Sequence, residues 1–122
     1  MKPIHERDYL CLCTYGHSRS VALARELHSR KLFACAAGLA TAPRGMLSAL
    51  MRTADTIFVM DVRMVNHVPM IYRNKVSTAC AVGPDQWSNL YNQELAALVR
   101  AKFDEWARHT NGAEERKQLE PK

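Results

Sequence analysis

The sequence predicts a single-domain α/β fold: a four-stranded parallel sheet with helices on both faces. Three observations carry this. The chain has 122 residues, enough for one core and too few for two. Four short apolar runs without a helical period recur along it, at 8–13, 32–37, 56–60 and 75–82. The segments between and after them place apolar residues at helical spacing or carry turn residues. In such sheets ligands bind at the carboxyl ends of the strands, so the loops after Cys13, Met60 and Val82 are where function is expected.

Asp8 to Cys13 reads as a buried strand. Thr14 to Ser18 is loop chemistry. From Arg19 to Arg30 the residues Val21, Leu23, Ala24 and Leu27 make one helical face, with Ser18 or Ser20 as its cap. Leu32 to Ala37 is a second strand, ended by Gly38. Thr41-Ala42-Pro43 opens a helix with Pro in its first turn, and Met46, Leu47, Leu50, Met51 and Ala54 form its stripe. Thr56 to Met60 is rich in branched and aromatic residues and is the clearest strand; Asp61 ends it. Val62 to Asn74, interrupted by Pro69, reads as a loop with a short helix. Lys75 to Val82 reads as a fourth strand, and the turn Gly83-Pro84-Asp85 comes after it. Leu95, Leu98, Val99, Lys102, Phe103 and Trp106 mark a last amphipathic helix. The expected domain is 1–110, with a polar, flexible tail at 111–122.

Composition narrows the function classes. Apolar residues make up 48% and charged residues 24%, ordinary for a globular chain and unlike a disordered one. No apolar run is long enough to cross a bilayer, and the charged start lacks a secretory signal pattern. A cytoplasmic protein without membrane association is expected. Seventeen Lys and Arg against twelve Asp and Glu give a net charge of +5, which favours anionic partners. The basic residues are scattered, which disfavours nucleic acid. The four cysteines form no Cys-x-x-Cys pair. Cys11, Cys35 and Cys80 lie in apolar runs and are expected to be small buried hydrophobes.

Cys13 differs from these because it opens a loop of distinct chemistry. Cys13-Thr14-Tyr15-Gly16-His17-Ser18-Arg19-Ser20 joins a predicted strand to a predicted helix. Successive backbone N–H groups in such a loop form an anion nest, and the helix start adds its positive dipole end. Arg19 offers a planar fork to two oxygens of one phosphate. Gly16 permits a turn that a side chain would resist. The same positive surroundings favour the thiolate of Cys13, and Ser20 is placed to donate a hydrogen bond to that sulfur. Residues 14–20 are therefore the candidate phosphate-binding set, with Cys13 as nucleophile. His17 reads as a phosphate contact or as a solvent-facing residue, and both stay open. Tyr15 lines the pocket mouth or packs on the late loop.

These residues resemble the low-molecular-weight protein tyrosine phosphatases, including small bacterial and phage members. The Cys-x5-Arg-Ser loop comes after the first strand. Ala36-Ala37-Gly38 resembles the family's Ser-Ala-Gly segment, and Ala54-Asp55-Thr56-Ile57-Phe58-Val59-Met60 its Ala-Asp-x-Ile-x-x-Met strand. The resemblance spans roughly 9–106. It implies phosphotyrosine or aryl phosphate hydrolysis through a phosphocysteine, with no cofactor and no metal. It also implies a general acid Asp on a late loop. Asp85 in Gly83-Pro84-Asp85-Gln86-Trp87 fits, although here Pro precedes Asp; a plain turn role remains the alternative. Trp87 and Tyr91 are candidate substrate walls, Tyr91 equally a core residue. Asp61 is the reserve acid. The loop lacks the Asn with which the family braces it, so it is expected to be held differently.

Other readings compete. A catalytically weak phosphate- or phosphoprotein-binding module would keep the cradle without efficient acid catalysis. An arsenate reductase needs resolving cysteines on a mobile segment, whereas Cys35 and Cys80 lie in predicted strands. Gly16-His17-Ser18 lacks the closing Gly of a nucleophile elbow. Cys11, Cys13 and His17 lack a fourth metal ligand at suitable spacing. The expected partner is a phosphorylated protein or a small aryl phosphate; the sequence leaves the oligomeric state open.

Overall fold

The computed structural model describes residues 2–15, 18–83 and 92–119, with side chains as far as 110. Among these, four strands form one all-parallel sheet: β1 (Asp8–Cys13), β2 (Phe33–Gly38), β3 (Thr56–Val59) and β4 (Val76–Ser77), in the order β2-β1-β3-β4. Three α-helices accompany it: α1 (Arg19–Ser29), α2 (Arg44–Thr53) and α3 (Gln93–Leu119). The interleaved order predicts parallel pairing, because each crossover returns the chain to the same end of the sheet.

Register assigns the two sheet faces. Tyr9 and Cys11 pair with Thr56 and Phe58, so these side chains share one face. On it the Tyr9 and Phe58 rings stack at 5.8 Å, and the edges of Phe103 and Trp106 from α3 close over them. α1 packs beside α3. Glu26 receives a hydrogen bond from Arg100 (2.7 Å), and Arg30 pairs with Asp104 (2.6 Å), tying the two helices together. On the other face Leu10, Leu12, Ile57 and Val59 are buried. A small cavity bounded by Leu10, Cys35 and Leu50 places α2 there. Asp55 pins the strand starts: its carboxylate accepts from the Asp8 N–H at 2.7 Å, and its own N–H donates to the Asp8 carbonyl at 2.8 Å.

Three segments differ from the sequence expectation. The run 75–82 is not one strand. After Ser77 the chain turns: the Ser77 hydroxyl accepts the Ala79 N–H (3.2 Å), and Ala81 N–H reaches the Thr78 carbonyl. This local side-chain bond competes with the ladder. Val82 then rejoins the sheet end, donating to the Met60 carbonyl at 2.9 Å. Cys80 therefore sits in the turn, though fully buried. The region after Asp61 holds two 3₁₀ helices, Val62–His67 and Met70–Lys75, separated at Pro69. The backbone of α3 stays helical to Leu119, past residue 111 where the polar composition suggests a tail.

α1 ends with Lys31 at φ 62°, while Leu32 N–H reaches back to the Leu27 carbonyl and Lys31 N–H to that of His28. This is a Schellman closure with lysine where glycine is usual. It sends the chain directly into β2.

Candidate functional site

β1 delivers Cys13 to the carboxyl end of the sheet, and α1 starts six residues later. Cys13 is recessed, with 2% of its surface exposed, and its Sγ lies 3.0 Å from Ser20 Oγ. Ser18 takes the N-cap position of α1, which leaves Ser20, two residues further in, turned to the sulfur. Arg19 is equally buried, at 1% exposure. Its Nη1 donates to the Gly83 carbonyl at 2.6 Å and its Nη2 to Thr14 Oγ1 at 3.3 Å. The structure thus brings the cysteine, the arginine, Thr14 and Ser20 together.

The loop is braced from the segment after β2. Leu39 N–H donates to the Cys13 carbonyl (2.9 Å) and Ala40 N–H to that of Thr14 (2.8 Å). Thr41 Oγ1 donates to that of Tyr15 (2.9 Å). Three consecutive residues thus hold three consecutive carbonyls, extending the β1–β2 ladder past its end. They supply the hold for which the sequence offers no asparagine. Tyr15 is 52% exposed at the rim. Gly16, His17, Asp85, Trp87 and Tyr91 lie outside the described residues.

Asp61 ends β3 beside this cradle. Its carboxylate accepts the Arg63 backbone N–H at 3.0 Å and its guanidinium at 2.7 Å. Hydrogen bonds from Arg63, side chain first and backbone second, hold its carboxyl at about 2, and the nearby charge of Arg19 adds to them. The carboxylate is thus engaged by Arg63 and ionised across the neutral range, which disfavours it as the reserve acid. Its role is to cap the 3₁₀ helix and to place negative charge near the buried Arg19. Between the ends of β1, β2 and β3 opens a cavity of about 500 Å³, bounded by Thr14, Leu39, Asp61, Met64 and His67 among others. It abuts the cradle at Thr14, and sequence reasoning did not foresee it.

Two of the remaining thiols, Cys11 and Cys80, are held in the protonated form by burial. Burial pushes Cys11 well up, and it pushes Cys80 up to about 12. Both stay protonated at neutral pH, which argues against resolving cysteines. Cys35 is half-buried rather than buried as expected. Among the described residues no group of three His, Cys, Asp or Glu side chains gathers as a metal site, and no helix is long and apolar enough to cross a membrane.

The architecture matches solved phosphatase structures. The tyrosine phosphatase Wzb from Escherichia coli K30, in complex with sulphate, superposes with a TM-score of 0.59 at 19% identity, over 85% of this chain and 98% of that one. The YwlE arginine phosphatase from Geobacillus stearothermophilus gives 0.63 at 14% identity, over 95% and 99%. The chain has the low-molecular-weight tyrosine phosphatase fold. A low-molecular-weight phosphotyrosine phosphatase from Vibrio cholerae O395 matches at 0.52 and 17% identity, over 82% and 96%. No protein-family model and no curated protein matches the sequence. At these identities the likeness concerns the fold; the chemistry must be argued from the residues of this chain.

Proposed function

We propose that the chain is a cysteine-dependent phosphatase acting in the cytoplasm on phosphotyrosine of a protein or on a small aryl phosphate. The observation that carries this is one cluster: Cys13 Sγ at 3.0 Å from Ser20 Oγ, and the buried Arg19 bonded to Thr14 at the start of α1. A thiolate, a hydroxyl donor, a guanidinium and a helix N-terminus at the end of a strand are what in-line attack on a phosphate ester requires.

The proposed path has two steps. Cys13 attacks phosphorus, the P–O bond to the aryl group breaks, and Asp85 protonates the departing oxygen. Water, deprotonated by Asp85, then attacks the phosphocysteine, releasing phosphate and the Cys13 thiolate. Loop amides of residues 14–20 and the Arg19 fork hold the equatorial oxygens throughout. Asp85, with walls at Tyr15, Trp87 and Tyr91, rests on sequence position. The path uses no metal or organic cofactor. The catalytic unit is assigned to 1–110.

The test is turnover of an aryl phosphate by wild type, Cys13→Ser and Asp85→Ala, with phosphate binding measured in parallel. Loss of turnover in the first variant and a strong reduction in the second support the reading. Phosphate binding with no turnover in any of the three assigns a binding module instead. An active wild type with an unaffected Asp85→Ala overturns the acid assignment alone.

A further inference from the structure

Arg19 is held by a residue far from it in sequence. The Nη1–O distance to the Gly83 carbonyl is 2.6 Å, across a separation of 64 residues. The guanidinium is buried, and a buried charge is tolerated where acceptors meet it in good geometry. The carbonyl that meets it comes from an unusual backbone. Gly83 has φ +83°, and among the described residues it is the one glycine with positive φ. A side chain resists that conformation. A Cβ built at Gly83 meets nothing within 4 Å. The demand for glycine is therefore conformational and not one of space: the position needs the left-handed turn, and the turn sets where the carbonyl points.

We infer that Gly83 is a positioning residue for the phosphate-binding guanidinium: its left-handed backbone aims a carbonyl that fixes the fork of Arg19 against the cradle. This rests on the phosphatase reading and adds a residue to it. The carbonyl is itself anchored, because the preceding residue, Val82, donates to the Met60 carbonyl at the end of β3. The sheet thus carries the acceptor, and the acceptor carries the arginine. With Nη1 on Gly83 and Nη2 on Thr14, two points define the guanidinium plane. A planar fork held at two points loses little freedom when a phosphate docks.

The experiment compares wild type, Gly83→Ala and Gly83→Asn. Alanine adds only a Cβ into open space but resists the left-handed region, whereas asparagine enters it readily. The readouts are the dissociation constant for inorganic phosphate, kcat and KM for an aryl phosphate, and the urea unfolding midpoint. Losing a hydrogen bond that orients a charged group predicts phosphate binding weakened by about 10- to 100-fold in Gly83→Ala, KM raised with it and kcat reduced. Gly83→Asn is expected within about threefold of wild type, the size of a small backbone preference. A purely structural glycine would lower the unfolding midpoint and leave phosphate affinity alone. An alanine variant that binds phosphate as wild type does, or an asparagine variant as weak as alanine, overturns the inference. Should alanine prevent folding, a scalar coupling across the hydrogen bond from Arg19 Nη1 to the Gly83 carbonyl carbon, sought by NMR in wild type, decides: its detection supports the bond, and its absence refutes it. A wild type that neither binds phosphate nor turns over substrate refutes the phosphatase reading itself, a different result from an active wild type with an indifferent Gly83.

Discussion

Replacing Ser20 with alanine removes one oxygen, 3.0 Å from the Cys13 sulfur, from a place with no room for exchange with solvent. Ser20 is fully buried and Cys13 nearly so. The void is about the size of one hydroxyl, smaller than a water requires. The sulfur therefore loses its Ser20 hydroxyl partner without gaining another; in the thiolate state of the proposed mechanism that hydroxyl is the donor. A hydrogen bond to a charged partner contributes about 1.5–3 kcal/mol. At about 1.36 kcal/mol per decade, that is a rate effect of roughly 10- to 150-fold. The effect falls unequally on the two steps. In the first, sulfur gives up negative charge; in the second it regains it as the leaving group, and the hydroxyl stabilises that developing charge. Ser20→Ala should therefore slow phosphocysteine breakdown by this factor. Stopped-flow release of a chromophoric aryl alcohol should show a burst of about one equivalent, then slow turnover with lowered kcat and lowered KM. Mass spectrometry of acid-quenched enzyme should find the phosphorylated protein accumulating. A variant with no burst and kcat within twofold of wild type would show that Ser20 does not serve the sulfur.

Other outcomes rest on the fold. Asp61 is held at about 2 against an ordinary 3.8, so its contribution is complete above pH 4 and is lost as pH falls from 3.8 toward 2. Because Arg63 is 74% exposed, solvent screening holds this contribution to about 1 kcal/mol. The stability gap between wild type and Asp61→Asn in urea should be that size at pH 7 and vanish near pH 2. Phe103→Ala empties a site 1% exposed, in contact with Tyr9, Phe58 and Trp106, and should cost about 3–5 kcal/mol by the same measurement. Lys31→Gly relieves a left-handed lysine at the end of α1 and should raise stability by about 1 kcal/mol, read as a higher unfolding temperature.

The parts of this molecule legible in the sequence are those fixed by local chemistry. Asp8–Cys13 reads as a strand because both of its faces are covered, which writes a continuous apolar run. The Cys13–Ser20 cradle is legible because a nucleophile, a fork and a helix start all fall within eight residues. The fourth strand is not, because Val76 and Thr78 are good strand residues, while the Ser77 hydroxyl and the Thr78 carbonyl also serve a turn, and composition cannot choose between the two. The bracing of the loop by residues 39–41 is invisible for another reason: two of its three bonds come from backbone N–H groups, which almost any residue type would supply. Arg19's bond to Gly83 links positions 64 residues apart through a carbonyl. The glycine signals a turn, and nothing in its one-letter neighbourhood names the arginine that uses it.

The sheet order leaves β2 with a lateral border to which no other described strand is joined. Its sequence, Phe-Ala-Cys-Ala-Ala-Gly, carries no charge, and Phe33 is 67% exposed at its start. Such a border is a template on which a second polypeptide could add by main-chain pairing. Lys31, two residues upstream, acts as a gatekeeper, since stacking copies in register would bring like charges together. The helix closure that carries Lys31 at a strained angle thus also stations a repelling charge beside that open border.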